Sequence, residues 1–232
     1  MSTAPTEGRR ARNRRLKTDS ALETALEIIE AEGIEGLTIG ALARRLDWAM
    51  GAMYRYFPSK DALLVGLQAR IVSQYEVESR AALASTDDPL IALVRLAQHY
   101  QAYFSRHRGQ FALIAMSLSH PKQLIDDTTG AEHFASVLRM LQSIVARFEA
   151  ARIEGRLGDG DSAQRLLVFW SAIMGVMQLG KLARLSPDMI DTRALIRNAV
   201  GSLLVGWGAS AEAVNAAFEA ELSREQRMME IH

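Results

Sequence analysis

A chain of 232 residues, 49% of them hydrophobic, can bury one large core or two smaller ones, which excludes a wholly disordered protein. Cysteine is absent, so disulfides, thiolate metal sites and cysteine nucleophiles are excluded, and a reducing compartment suits the chain. The formal net charge is zero, yet Met1 to Lys17 holds six basic residues (Arg9, Arg10, Arg12, Arg14, Arg15, Lys17) against Glu7 alone, an excess of +5 that points to an anionic partner.

No apolar run reaches the roughly 18 residues of a membrane span, and the basic N-terminus is not followed by the apolar core of a signal peptide. The expectation is a cytoplasmic protein, neither exported nor membrane-embedded.

Residues 1–17 mix Pro, Gly, Ser and Thr with the arginines and have little apolar content, which predicts a disordered basic arm. Thr18 to Glu32 sets Leu22, Ala25, Leu26 and Ile29 on one face and predicts a supporting helix that stops at Gly33. Thr38 is an N-cap candidate for a short helix with Ile39, Leu42, Ala43 and Leu46 at helical spacing. Asp47 then breaks the pattern, and Asp tolerates the left-handed conformation of a sharp turn, although Gly adopts it at lower cost. Trp48, Met53 and Phe57 continue an apolar face through a second short helix that ends before Pro58. Two short helices joined by such a turn form a helix-turn-helix, whose second helix is narrow enough for the DNA major groove. Beside it the basic arm is either a solvated tail or a strand of arginines entering the adjacent minor groove.

Ser59 caps a long helix running to about Leu83, its face marked by Leu63, Leu64, Leu67, Ile71 and Tyr75. Pro89 opens the next helix at its first position. Further amphipathic runs span Leu90 to His107, Gln110 to Leu118, Gln123 or later to Glu154, Ser162 to Leu185, Met189 to Trp207 and Ala211 to about Arg227. Breaks fall at Arg108-Gly109, His120-Pro121, Gly155 to Gly160 and Ser186-Pro187, and no strand-type alternation of useful length occurs. The predicted fold is all-α, with about nine or ten helices. Gly158-Asp159-Gly160-Asp161 has too few ligands for a calcium loop and is read as a turn with a helix cap.

The helix-turn-helix stretch resembles the DNA-binding domain of the TetR family of transcriptional regulators over residues 18–64. The residues that carry the resemblance are Glu32-Gly33, Leu37-Thr38, Leu42-Ala43, Leu46, Gly51, Met53-Tyr54, Tyr56-Phe57 and Lys60-Asp61-Ala62-Leu63. Where the family usually has Gly, a small aliphatic and a polar residue, this chain has Asp47, Trp48 and Ala49. The resemblance implies that Met50, Gly51, Ala52 and Arg55 face bases or groove, that Thr38, Tyr54, Tyr56 and Lys60 grip phosphates, and that the helix of residues 59–83 links this domain to a helical remainder, residues 65–232. Because Ala49, Met50, Gly51 and Ala52 cannot make bidentate hydrogen bonds to bases, thymine methyls and DNA shape remain to be read, with Arg55, Arg44 and the arm residues Arg12, Arg14 and Arg15 as polar candidates.

In the remainder, His99, Tyr103, Phe104, Phe111, Met116, Phe134, Trp170, Met174, Met177 and Gln178 are candidates to line a pocket for a largely apolar effector, together with Tyr100, Met140 and the polar Lys181. A packed core needs the same apolar residues. The helices of residues 162–185 and 189–207 have little polar relief, and in TetR-like proteins the corresponding pair builds a four-helix dimer interface; the alternative is core within one chain. No nucleotide loop, nucleophile elbow or paired-histidine metal motif is present, so no cofactor, metal or enzymatic activity is expected. The sequence therefore predicts a homodimeric, ligand-responsive regulator, most simply a repressor released from a palindromic DNA operator by a small molecule. The competing class is an all-α ligand-binding or scaffolding protein without DNA activity.

Overall fold

A computed structural model describes residues 8–119, 130–180, 182 and 190–230 of the chain. The predicted breaks at His120-Pro121 and Ser186-Pro187, and the candidate Lys181, lie outside the described residues, as do residues 1–7 of the arm. Ten helices make up the described secondary structure: α1 (Arg9–Gly36), α2 (Ile39–Arg45), α3 (Met50–Tyr56), α4 (Lys60–Ala84), α5 (Pro89–Arg106), α6 (Arg108–Ser119), α7 (Gly130–Ile153), α8 (Ser162–Leu179), α9 (Thr192–Gly206) and α10 (Ala211–Glu230). No strand occurs among the described residues, as the sequence predicts. None of the described helices is long and apolar enough to cross a membrane.

The chain divides into two compact units. The first contains residues 8–71 and 107–119, hence α1 to α3, the first half of α4, and α6. Its core is built from Ala21, Leu22, Ala25, Leu26, Ile28 and Ile29 of α1 against Leu42, Met53, Phe57, Leu63 and Leu67. Helix α6 packs on α1 at close range, because a Cβ at Gly109 would lie 2.6 Å from Ile29 Cγ2 and 2.7 Å from its carbonyl oxygen. Glu30 completes that contact by accepting the Gly109 and Gln110 backbone N–H groups at 3.0 Å each, a carboxylate on the first turn of a helix.

The basic arm differs from its predicted disorder. From Arg9 onward it is the first two and a half turns of α1, which runs unbroken until Gly33 adopts φ 76°. Arg, Ala, Leu and Lys are good helix formers, and no Gly or Pro stands between Gly8 and Gly33. Two tertiary contacts hold it: Arg14 Nη2 donates to the Arg55 carbonyl at 3.4 Å, and Lys17 Nζ stands 5.8 Å from the centre of the Trp48 ring.

The second unit contains residues 72–106, 130–180, 182 and 190–230, with α5 at its centre, packed by α7, α8, α9 and α10. Pro89 does open α5, and Asp88 caps it by accepting the Leu90 and Ile91 N–H groups. Every residue from Ala92 to Ala97 is buried, including Arg95. Burying a guanidinium requires a partner, and Glu221 of α10, itself 1% exposed, accepts from Arg95 Nε at 2.8 Å and Nη2 at 2.5 Å. Arg95 also donates to Ser85 Oγ, just beyond α4. Between α7 and α8, Asp161 caps α8 through the Ala163 and Gln164 N–H groups, so the Gly-Asp stretch is a turn and cap as expected.

Replacing Arg95 by Met leaves the buried Glu221 with only the part-exposed Arg224, whose Nε donates to its other oxygen at 3.0 Å, and is expected to cost up to about 3–5 kcal/mol in chemical denaturation. The double replacement Arg95→Met with Glu221→Leu should recover most of that loss; a double variant as unstable as the single one would contradict the pairing argument.

Candidate nucleic-acid interface

Local hydrogen bonding fixes both ends of α2 and the turn into α3. Thr38 accepts the Ala41 N–H through its hydroxyl at 3.0 Å and starts α2. At the other end Asp47 takes φ 54°, Trp48 N–H donates to the Ala43 carbonyl at 2.9 Å, and Asp47 N–H to the Arg44 carbonyl at 3.3 Å. This is a Schellman termination with Asp in the left-handed position, as the sequence leads one to expect. Ala49 then caps α3 with no side-chain hydrogen bond.

Helix α3 buries only Met53, with Phe57 buried directly after it. Its other side is open: Met50 is 44% and Tyr54 49% exposed, Gly51 and Arg55 are exposed, and Ala52 and Tyr56 are half-buried. A Cβ on Gly51 would meet nothing within 4 Å, so protein packing does not require glycine there. Thr38, Arg44 and Lys60 are exposed in the same unit, and Ser59 caps α4 by accepting the Ala62 N–H. Trp48 is half-buried and lies 5.1 Å, ring centre to ring centre, from Tyr56. Arg12, Arg14 and Arg15 are exposed on the helical arm. Every candidate nucleic-acid residue predicted from sequence thus falls in the first unit. Trp48 and Lys17 were not among the predicted contacts, although the unusual Trp was itself the available signal.

The candidate pocket residues are divided between the two units. Phe111 and Met116 belong to α6 of the first unit, Gln178 is exposed on α8, and the side chain of Phe134 lies outside the described residues. Helical spacing marks an apolar face but not the core that receives it, so the sequence alone groups α6 with residues 65–232, while its contacts are with α1. Trp170 and Met140 are half-buried, and Met177 is buried. His99, Tyr100, Tyr103 and Phe104 do gather in the second unit, around a residue that the pocket candidates omit, Tyr75. Its ring centre lies 5.6 Å from His99, 5.4 Å from Tyr100, 5.3 Å from Tyr103 and 5.5 Å from Phe104. Tyr100 Oη lies 2.7 Å from Met174 Sδ, whereas the buried Tyr75 Oη and His99 Nε2 have no hydrogen-bond partner. Burial drives the Tyr75 pKa upward and the His99 pKa downward; Glu78, 3.9 Å away, pulls His99 back up, and Arg106 and Arg224 push it further down.

A further surface lies on α8 and α9. Gln164, Leu167, Val168, Ser171, Gly175, Gln178 and Leu179 form one exposed row along α8, and Ala194, Asn198, Ser202, Val205 and Gly206 another along α9. Neither row contains a charged residue. Exposures of 54% for Leu167, 49% for Val168 and 44% for Val205 leave large apolar groups uncovered.

Two outcomes follow. Asp47→Gly should leave the melting temperature unchanged or raise it, by up to about 1 kcal/mol of stability, while Asp47→Val, forcing a β-branched residue to positive φ, should lower it clearly. For His99, whose folded pKa is depressed, the unfolded chain binds the extra proton as pH falls below about 6.5, so stability present above that pH is lost towards and through the folded pKa. Denaturation at a series of pH values should therefore show a shallower acid loss for His99→Gln than for the parent; equal slopes would count against a buried neutral imidazole.

Residues 21–67 match the family model for bacterial regulatory proteins, tetR family. An uncharacterized HTH-type transcriptional regulator of Mycobacterium tuberculosis, Rv0681, is 26% identical, with 82% of this chain and 84% of that one covered. The HTH-type transcriptional repressor KstR of Mycolicibacterium smegmatis is 39% identical over 34% of this chain, and the match spans 36% of that repressor. Among solved structures, RolR in complex with resorcinol superposes with a TM-score of 0.65 at 14% identity, covering 89% of this chain and 95% of that one. The TetR family regulator PfmR of Thermus thermophilus superposes with a TM-score of 0.59 at 20% identity, covering 79% and 96%. Together with the Schellman turn and the exposed face of α3, these findings show that residues 21–67 resemble the helix-turn-helix domain of the tetR family of bacterial regulatory proteins, and that the chain as a whole is similar to HTH-type transcriptional regulators.

Proposed function

We propose that the protein is a homodimeric repressor that leaves a palindromic operator when a largely apolar small molecule binds its second unit. The observation that carries the DNA half of this reading is α3 itself: a short helix anchored through Met53, with Met50, Gly51, Tyr54 and Arg55 left open. Such a helix enters a major groove, with Met50, Gly51, Ala52 and Arg55 towards the bases. Thr38, Tyr54, Tyr56 and Lys60 supply hydroxyls and an ammonium to phosphates, which set register without reading sequence. Arg44 extends that grip. The uncharged rows on α8 and α9 support dimerisation, since one helix-turn-helix reads few base pairs and a two-fold dimer spans two half-sites. Its place of work is then the bacterial cytoplasm.

The aromatic box around Tyr75 supports the effector half. A buried hydroxyl without a partner costs about 1–3 kcal/mol, which a ligand oxygen or nitrogen would offset, while the surrounding rings favour an apolar body. His99, Tyr103, Phe104 and Met174 would line that site, with Met177 and Trp170 on α8 as further candidates. Ligand binding changes DNA affinity only if it prefers one conformation, and a coupling of about 1–3 kcal/mol corresponds to roughly 5 to 150-fold. Two connections supply routes: α4 contributes to both units, and α6, one residue beyond α5, is clamped to α1 by Glu30 and Gly109.

Gly51→Leu separates folding from function. Leu is the better helix former and its Cβ meets nothing within 4 Å on this exposed face, so the melting temperature should hold or rise, while gel-shift affinity for DNA upstream of the protein's own gene should fall at least about tenfold. Lys60→Ala should weaken binding to all duplexes alike. Undiminished binding by both variants would reject the DNA reading in favour of a ligand-binding protein.

A further inference from the structure

Tyr75 Oη of α4 and His99 Nε2 of α5 are both buried without a hydrogen-bond partner, and they belong to rings that stack on each other, 21° from parallel with centres 5.6 Å apart. A neighbouring hydroxyl shows the contrast. Tyr100 accepts a hydrogen bond from the Trp170 side chain, and its Oη lies 2.7 Å from Met174 Sδ. For His99 the nearest carboxylate oxygen, Glu78 Oε2, stops at 3.9 Å, beyond hydrogen-bond range.

The charge and hydrogen-bonding capacity of these two groups narrow the ligand chemistry. Burial pushes the Tyr75 pKa up and the His99 pKa down, so near neutral pH both are uncharged and offer hydrogen bonds only. Glu78 is the strongest of the charged groups acting on His99, ahead of Arg106 and Arg224, and it repels an anionic ligand. A buried carboxylate would also be costly without a cation paired to it. A cation needs an open ring face, and Tyr75 is already ringed by His99, Tyr100, Tyr103 and Phe104. A hydroxyl both donates and accepts, so it suits Tyr75 Oη and His99 Nε2 whichever imidazole nitrogen carries the proton. A carbonyl suits only one tautomer.

We infer that the effector carries a neutral hydroxyl, an alcohol or a phenol, that hydrogen-bonds Tyr75 and His99 while its apolar body packs on Tyr103, Phe104 and Met174. This rests on the reading of the aromatic box as the effector site. Met174 is the adaptable wall, since an unbranched thioether re-packs at low cost.

The test compares para-cresol, toluene and para-toluate as ligands of the full chain by isothermal titration calorimetry, with thermal unfolding measured alongside. Para-cresol should bind at least about tenfold more tightly than either of the others, because it alone gives the buried hydroxyl and imidazole a neutral partner. Tyr75→Phe keeps the ring and removes the hydroxyl, so without ligand it should hold or raise the melting temperature, yet it should abolish the advantage of para-cresol over toluene. A purely structural role for Tyr75 would leave that ratio unchanged. Equal binding of toluene, or tighter binding of para-toluate, overturns the hydroxyl class while leaving the protein a ligand binder. A cresol advantage that survives Tyr75→Phe overturns the assignment to this box, and a clearly lowered melting temperature in that variant contradicts an unpartnered hydroxyl. Binding of none of the three at low millimolar concentration overturns the effector reading beneath the inference.

Discussion

Seven residues are too few for a helix to persist alone in water, so α3 exists only because the rest of the first unit holds it. Met53 and Phe57 bury the inner side, the Asp47 turn sets its direction, Trp48 and Tyr56 bracket it, and Arg14 donates to its C-terminal carbonyl. The outer side is then open for binding, where nothing in the protein competes for Met50, Gly51 or Arg55 as packing groups. That division of labour makes a face so poor in polar atoms compatible with the proposed DNA-binding role, in which register would come from phosphates and sequence preference would be left to thymine methyls, Arg55 and DNA shape.

The second unit obeys a different constraint. Helix α5 is buried all round from Ala92 to Ala97, so the charge within that stretch, Arg95, must be matched, and Glu221 matches it from a position 126 residues further along the chain. Because Arg95 also reaches Ser85, the start of the loop after α4 is tied to the same ion pair. Around Tyr75, by contrast, polar atoms are left unmatched in an apolar setting, the reverse of what a purely structural core provides. Matched charges thus lie near the end of α4, and a hydroxyl and an imidazole nitrogen without hydrogen-bond partners lie nearer its middle.

Short-range signals were legible in the sequence. Thr38, Asp47, Ser59, Pro89 and Asp161 each act within a few residues of themselves, and each does in the structure what its chemistry predicts. What was not legible depends on distant partners. The arm reads as disordered because its contacts, the Arg55 carbonyl and the Trp48 ring, lie about 30 or more residues further along the chain. Phe111 and Met116 join the first unit through a contact the sequence does not show, Gly109 against Ile29, and helical phase alone does not reveal that Gln178 sits on the open row of α8 while Met177 faces inward. Tyr75 was visible as a core position of α4, but its role as the hub of the aromatic box appears only once α5 is packed beside it.

The account stands or falls on whether two copies of α3 read one duplex together. Hydroxyl-radical footprinting of the full chain on a duplex selected by it from a random library measures this directly. Two protected segments related by a two-fold axis, with centres one helical turn of about 34–36 Å or a multiple apart, are the predicted result. A single unsymmetric footprint, or selection that returns no common site, would contradict it.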